Sequence, residues 1–154
     1  MYLKNFKELE RVGRPVRIGI VGLGAMGKGI AYNVCQTPGL RLVLVGDVDS
    51  TKLSELRRII PGVQYDETLD CMEIAESDQI DLFVEASSSI TMGFEYTKRA
   101  IESGHNVILM NGEVDCFYGP ELYELAQKRN VILSSTDGDQ YGVLIKLLEE
   151  IELM

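Results

Sequence analysis

Short apolar runs alternate with amphipathic stretches along the whole chain, and glycine, proline and small polar residues separate them. The β-branched run Val16–Val21 is typical of a buried strand. The pattern predicts six strands, at 16–21, 40–46, 63–65, 81–85, 106–110 and 131–134. It predicts helices at 3–12, from the turn after the first strand to about 35, at 52–60, 69–75 and 92–103, from Gly119-Pro120 onward, and from about 141 to the C-terminus.

Strands that alternate with helices are typical of an α/β fold with a mostly parallel sheet. Six such strands predict a doubly wound six-stranded sheet in a three-layer αβα arrangement, with right-handed crossovers. The chain has 154 residues, which is the size of one domain. We find no internal linker, so residues 1–154 are expected to form one domain, and a catalytic or substrate domain is expected to be absent from this chain.

The composition excludes several classes of partner. The net charge is −9 and the sequence pI is about 4.6, whereas binding to nucleic acid or to an anionic membrane requires a basic surface. An acidic chain can still hold a phosphorylated small molecule, because backbone N–H groups bind phosphate locally. We therefore expect a small-molecule substrate, no nucleic acid and no membrane.

The cysteines and the single histidine bear on the redox state of the protein and on metal binding. Cys35, Cys71 and Cys116 are far apart and form no CxxC motif, so we expect reduced, buried thiols in a cytoplasmic protein. His105 is the sole histidine, so we expect no metal site of the Cys/His kind. The N-terminus lacks the apolar run of a signal peptide, and no stretch reaches membrane-spanning length.

A Gly-x-Gly-x-x-Gly motif lies between the first strand and the helix that follows it. Gly22 permits a tight turn, Gly24 lets a pyrophosphate approach the backbone, and Gly27 lets the helix pack against the strand. With Ala25 and Met26 in the same turn, the motif predicts a dinucleotide site in a Rossmann-type fold, at the positive N-terminus of the helix. The alternative is a tight strand-to-helix turn without a ligand.

An acidic residue at the end of the second strand completes this fingerprint. Asp47 follows the strand at the expected distance, where its carboxylate would accept hydrogen bonds from the adenine ribose. Because Val48 follows it and not an arginine, we predict NAD in preference to NADP. Asp47 alternatively caps the next element. Asp49 is interpreted as a turn residue or helix cap, and Lys28 as a solvated helix residue in preference to a phosphate ligand.

Small and polar residues follow the fourth and fifth strands, where an open parallel sheet binds its ligands. Ala86 and Ser87 leave room for the nicotinamide half of a cofactor. Asn111 is positioned to hydrogen-bond the nicotinamide ribose or carboxamide. All three are alternatively ordinary loop residues.

The sequence resembles homoserine-dehydrogenase-like NAD(P)-dependent oxidoreductases that carry a later SAF-type domain. The segments that carry the resemblance are 13–22, 81–86, 107–113 and especially Asp137-Gly138-Asp139-Gln140-Tyr141-Gly142. The resemblance implies hydride transfer between a nicotinamide cofactor and a small hydroxylated or phosphorylated carbonyl compound. It also implies a longer, homo-oligomeric polypeptide. In homoserine dehydrogenases proper a lysine follows the asparagine, whereas Gly112 stands here, so the resemblance does not extend to homoserine itself.

Two loop carboxylates are candidates for the general acid or base that such a reaction needs. Glu113 and Asp139 follow the fifth and sixth strands, and their alternative role is helix capping or turn formation. The main catalytic residues are expected outside this chain. A non-catalytic dinucleotide-sensing Rossmann module remains an alternative function, and the close glycine spacing disfavours an adenosylmethionine-dependent methyltransferase.

Overall fold

The computed structural model of the protein describes the backbone of residues 2–135 and the side chains of residues 5–135. Its strands are β1 (Val16–Val21), β2 (Leu40–Gly46), β3 (Asp66–Thr68), β4 (Leu82–Glu85), β5 (Asn106–Leu109) and β6 (Leu133–Ser135). Its helices are α1 (Tyr2–Arg11), α2 (Ala25–Gln36), α3 (Ser50–Ile59), α4 (Cys71–Glu76), α5 (Ile90–Glu102) and α6 (Gly112–Arg129).

The six strands form one sheet in the order β3-β2-β1-β4-β5-β6, and every neighbouring pair is parallel. The chain therefore builds the sheet outward from β1 in one direction and then, from β4, in the other. This reversal leaves a crevice beyond the carboxyl ends of β1 and β4, where ligands bind in such sheets. The predicted doubly wound α/β fold is confirmed.

Two apolar clusters cover the two faces of the sheet, which gives the three predicted layers. On one face α2 and α3 pack over Ile18, Ile20 and Val45. On the other face α4, α5 and α6 pack over Phe83 and Leu109. Both clusters consist largely of fully buried aliphatic side chains, so the hydrophobic effect fixes β1 and β4 rigidly beside the crevice.

The third strand lies three residues later than predicted. The sequence pattern favours 63–65, but those residues lie after the Pro61-Gly62 turn, and the paired segment is Asp66–Thr68. It pairs with residues 44–46, at the carboxyl end of β2. The prediction was wrong because β-propensity carries little weight at a sheet edge, where pairing with the neighbouring strand selects the segment.

The helix after β5 begins seven residues earlier than predicted. Asn111 caps it by accepting a hydrogen bond from the Val114 N–H at 3.3 Å, and Pro120 lies inside the helix, not at its start. Val114, Leu122 and Ala126 share one buried face with helical spacing. The apolar face thus carries the helix through a proline that by itself favours a break.

The cysteines occupy three different environments. Cys71 is buried, Cys35 is partly buried and Cys116 is exposed on α6. The expectation of buried thiols holds for Cys71 and is wrong for Cys116. The helix predicted from about 141, and Asp139, lie outside the described residues.

Candidate functional site

The turn between β1 and α2 depends on two glycines. Gly22 has φ +87°, and a Cβ there would lie 2.4 Å from the Ser87 backbone nitrogen. A Cβ on Gly27 would lie 1.8 Å from the Gly22 carbonyl oxygen. Both positions therefore exclude any side chain, which agrees with the tight turn and the close helix packing that the motif predicts.

The middle glycine of the motif instead faces open space. A Cβ built on Gly24 meets nothing within 4 Å, and its φ of −63° is one that any residue adopts. No contact among residues 5–135 therefore requires a glycine here, whereas the close approach of a ligand to this backbone would require one.

The N-terminus of α2 is open to an anion. Gly24 caps the helix without a side-chain hydrogen bond, and the first turn contains no acidic residue. The first N–H groups of a helix have no intrahelical acceptor and carry a positive partial charge. Ala25 and Met26 are exposed in this turn, and Met26 has 62% of its surface accessible. This corner can accept a diphosphate.

Asp47 lies over the same corner. Its Oδ2 accepts a hydrogen bond from the Leu23 N–H at 2.7 Å, and its Oδ1 accepts one from the Asp49 N–H at 2.9 Å. The side chain is half-buried, and each carboxylate oxygen has a second lone pair for a further donor. The turn after β1 and the residue after β2 were predicted to form one site. A direct hydrogen bond, from the Leu23 N–H to Asp47, joins them.

A cavity of about 350 Å³ lies beyond the carboxyl ends of β1 and β4. Its volume is within the range of small-molecule and cofactor sites. Its walls come from the glycine turn, the ends of β2 and β4, and helices α3, α4 and α5. They consist of Val21, Gly22, Gly24, Asp47, Val48, Lys52, Cys71, Ala86, Ser87, Ser88, Ser89, Met92 and Tyr96. Five of the predicted cofactor residues therefore share one cavity.

Hydrogen bonds of Ser87 hold the segment 86–89, which we name the serine turn, in place. The Ser87 N–H donates to Glu85 Oε1 at 2.8 Å, and the Ser87 hydroxyl donates to the same oxygen. On the other side, Asn111 Nδ2 donates to the Ser87 carbonyl oxygen at 3.0 Å. Asn111 is itself buried and does not line the cavity. Its predicted contact with the cofactor stays a prediction, while its observed contact is with a residue that lines the cavity.

Glu85 is the residue that the sequence analysis missed. Its side chain is fully buried, and its Oε2 has no hydrogen-bond partner among the described residues. Burial raises the pKa of this carboxyl to about 7, against the opposing effect of the hydrogen bonds from Ser87. The sequence feature that could have identified Glu85 is an acidic residue at the end of an otherwise apolar strand, Leu82–Glu85. Such groups concentrate at functional sites.

Two lysines pair with Glu55, and one of them, Lys52, also lines the cavity. Lys52 contributes to the wall and lies 3.7 Å from Glu55 Oε2, while Lys28 forms an ion pair with the same carboxylate. The Lys28 side chain is only 17% exposed, so its interpretation as a solvated helix residue was wrong. Glu55 partly neutralises both cations.

The remaining titratable candidates lie apart from the cavity. Glu113 is exposed in the first turn of α6 and does not line the cavity. His105 is buried at the amino end of β5, and its pKa is lowered by burial. Within residues 5–135, no three His, Cys, Asp or Glu side chains are grouped to hold a metal ion. No described helix has both the length and the apolar character needed to cross a bilayer.

Curated relatives of known activity are similar to most of this chain. A homoserine dehydrogenase of Neisseria gonorrhoeae is 29% identical over 147 residues, which cover 89% of this chain and 33% of the relative. A homoserine dehydrogenase of Pseudomonas aeruginosa is 26% identical and covers 89% of this chain and 32% of that protein. The chain thus spans about a third of the length of these relatives.

Solved structures resemble the fold over most of its length. GenD2 from gentamicin A biosynthesis, in complex with NAD, has a TM-score of 0.66 at 25% identity, over 79% of this chain and 34% of that one. A homoserine dehydrogenase from Thiobacillus denitrificans has a TM-score of 0.70 at 23% identity, over 79% of this chain and 29% of that one. The second likeness concerns the fold alone.

A family match covers the site itself. Residues 16–111 match the Gfo/Idh/MocA oxidoreductase family, described as having an NAD-binding Rossmann fold. This range contains β1–β5, the glycine turn, Asp47 and the serine turn. The chain belongs to this oxidoreductase family and is an NAD-binding Rossmann domain that resembles the homoserine dehydrogenases.

Proposed function

We propose that this chain binds NAD as the cofactor domain of an oxidoreductase acting on a small hydroxylated or phosphorylated carbonyl compound. The observation that carries the proposal is the open backbone at Gly24 beside the Asp47 carboxylate, in one cavity with the serine turn. Free N–H groups of α2 would hold the diphosphate, and Asp47 would accept hydrogen bonds from the adenine ribose.

The preference for NAD over NADP is supported by charge at the ribose end. Asp47 presents a carboxylate that would repel a 2′-phosphate, and the next residue is the exposed Val48. The cation in this wall, Lys52, has its charge partly offset by Glu55 at 3.7 Å. A neutral 2′-hydroxyl that donates to Asp47 suits this arrangement better than a phosphate does.

The nicotinamide half of the cofactor would lie toward Ala86 and Ser87, where small side chains border the cavity. When bound, the cofactor supplies the hydride chemistry, and the protein supplies position and electrostatics. Glu113 and Asp139 remain candidates for moving a proton to or from substrate oxygen. The principal catalytic residues and any oligomer interface are proposed to lie in further chain, since the relatives are about three times as long.

Calorimetric titration of the chain with NADH, NADPH and adenosylmethionine tests this proposal. We expect saturable binding of NADH, weaker binding of NADPH, and none of adenosylmethionine. Tighter binding of adenosylmethionine would assign the site to another class of enzyme, and heat from none of the three would reject a nucleotide site. Substrate turnover by the longer polypeptide would separate an enzyme from a dinucleotide-sensing module.

A further inference from the structure

A buried carboxylate ends the strand that leads into the cofactor cavity. Glu85 is 0% exposed, and within residues 5–135 it forms no ion pair. An ionised carboxylate in such a place is costly unless donors surround it. Among the described residues, the two donors that contact it both belong to Ser87. The state of this carboxylate and the position of Ser87 are therefore physically linked.

The residues packed directly against Glu85 are uncharged, so they do not affect its ionisation electrostatically. Its strand neighbours are Val21 in β1 and Leu109 in β5. On α5, Gly93 lies so close that a Cβ there would be 3.2 Å from Glu85 Oε1, and the same Cβ would be 3.0 Å from Val114 of α6. None of these residues titrates or carries a charge.

Two titratable side chains lie within electrostatic reach of Glu85. Burial, together with nearby acidic groups that include Glu85, raises the pKa of Cys71 on α4 to about 11. The pKa of Tyr96 on α5 is raised to about 12, again first by burial. Both are therefore neutral near pH 7, and Glu85 is the group at this position that changes charge in the physiological range.

Ser87 connects Glu85 to the cavity. It lies in the cavity wall, and its backbone nitrogen is the nearest atom to the position a Gly22 Cβ would occupy. Its carbonyl oxygen is held by Asn111. The Glu85 hydrogen bonds therefore fix one wall of the cavity against the glycine turn on the other.

We infer that Glu85 is a positioning residue for the dinucleotide, whose ionised carboxylate holds Ser87 in the binding geometry and whose protonation loosens that hold. The inference rests on the proposed function. Hydrogen bonds to a carboxylate are about twice as strong as those to its neutral acid. With a pKa of about 7, the carboxyl changes from mostly neutral to mostly ionised between about pH 6 and pH 8.

NADH binding as a function of pH tests the inference. NADH is the suitable probe because it lacks the 2′-phosphate of NADPH. The second pKa of such a phosphate lies near 6, so its titration would overlap with the pH range of the experiment. The chain has no tryptophan, so NADH fluorescence can be followed without overlap from that residue. We expect the affinity of the unaltered chain to rise about 3- to 10-fold from pH 6 to pH 8.5.

Glu85→Gln keeps an acceptor oxygen but cannot ionise. Its NADH affinity should stay at the low-pH value of the unaltered chain across the whole range. His105→Asn is the matched control, because His105 is another buried titratable side chain, whose pKa is lowered by burial, and it lies at the opposite end of the sheet. It should keep the full pH dependence. A flat profile in the unaltered chain, or a pH dependence that survives in Glu85→Gln, would overturn the inference.

An independent readout needs no ligand. The ¹⁵N amide shift of Ser87 should titrate with a midpoint near pH 7 in the unaltered chain and should not titrate in Glu85→Gln. An invariant Ser87 shift would contradict the linkage. Failure of the unaltered chain to bind NADH at every pH would instead reject the proposed function, and this inference with it.

Discussion

Two carboxylates lie at the carboxyl ends of the strands on either side of β1, and their surroundings give them different chemistry. Asp47 is half-buried, accepts two backbone hydrogen bonds and faces the cavity. Glu85 is fully buried and contacts Ser87 alone among hydrogen-bond donors in the described part of the chain. The first is therefore suited to contact a ligand directly, and the second to hold Ser87, which lines the cavity.

Asp47→Ala should weaken NADH binding by about 1–3 kcal/mol, which is roughly 5- to 150-fold, because the ribose hydroxyls lose a charged acceptor. Isothermal titration calorimetry at pH 8 measures the change. Asp49→Asn is the matched control, since it removes a neighbouring negative charge while an asparagine still caps α3. It should bind NADH as the unaltered chain does, and equal losses in both variants would assign the effect to general electrostatics.

The residue scale also shows what a sequence can reveal. The position of Asp47 beside the glycine turn could be predicted because it follows from spacing relative to a local motif. Glu85 could not, because its burial depends on tertiary packing, in which Gly93 of α5 and Val114 of α6 lie over the end of β4. Asn111 falls between these cases. Its place after a strand was predictable, but its contact with Ser87 spans 24 positions.

The candidate site depends on the turn between β1 and α2, and two of its glycines have different roles. Gly27 is required by packing within the protein, whereas Gly24 is proposed to be required by the ligand. Gly27→Ala would place a methyl group against the Gly22 carbonyl oxygen, and we expect it to cost at least about 2 kcal/mol of stability. Gly24→Ala has open space and should cost no more than about 1 kcal/mol, but it should reduce NADH affinity at least tenfold. Urea unfolding and NADH titration measure the two effects.

Gly29→Ala is the control for this pair, because it lies in the same helix, is exposed and has open space around its Cβ position. It should bind NADH normally and gain about 0.5–1 kcal/mol from the better helix propensity of alanine. Normal NADH affinity in Gly24→Ala would show that no phosphate approaches that backbone.

The elements that were placed wrongly share a physical cause. Buried strands such as β1 and β2 have unambiguous apolar runs and begin and end where predicted. The edge strand β3 has the polar sequence Asp-Glu-Thr, and pairing with β2 decides its position. In α6, the buried face outweighs the local preference of Pro120 to begin a helix. Local rules thus fail where tertiary contacts oppose them.

At the scale of the whole molecule, the reversal in strand order places the ends of β1, β2 and β4 around one crevice. Stability and binding compete there. The packing of α4, α5 and α6 removes Glu85 from water and so favours its neutral form, whereas the proposed cofactor geometry uses its ionised form. At neutral pH the folded state is therefore less stable than it would be with a polar but uncharged residue at position 85.

This cost predicts how the stability of the chain depends on pH. Because the Glu85 pKa is raised from 4.5 to about 7, its contribution to stability is complete below about pH 4.5 and is lost as pH rises through 7. Glu85→Gln, which cannot ionise, should lack this loss. At pH 8 it should be more stable than the unaltered chain by up to about 3 kcal/mol, and the difference should shrink toward pH 5.

Urea unfolding followed by circular dichroism between pH 5 and pH 8.5 measures this difference. Other groups titrate as well. Burial lowers the pKa of His105, which removes stability as pH falls, whereas the ion pair with Arg17 lowers the pKa of Asp81 and acts below this range. Both contributions are common to the two proteins and cancel in the difference curve. A difference independent of pH would mean that Glu85 has the same proton occupancy folded and unfolded, contrary to its burial beside the cofactor cavity.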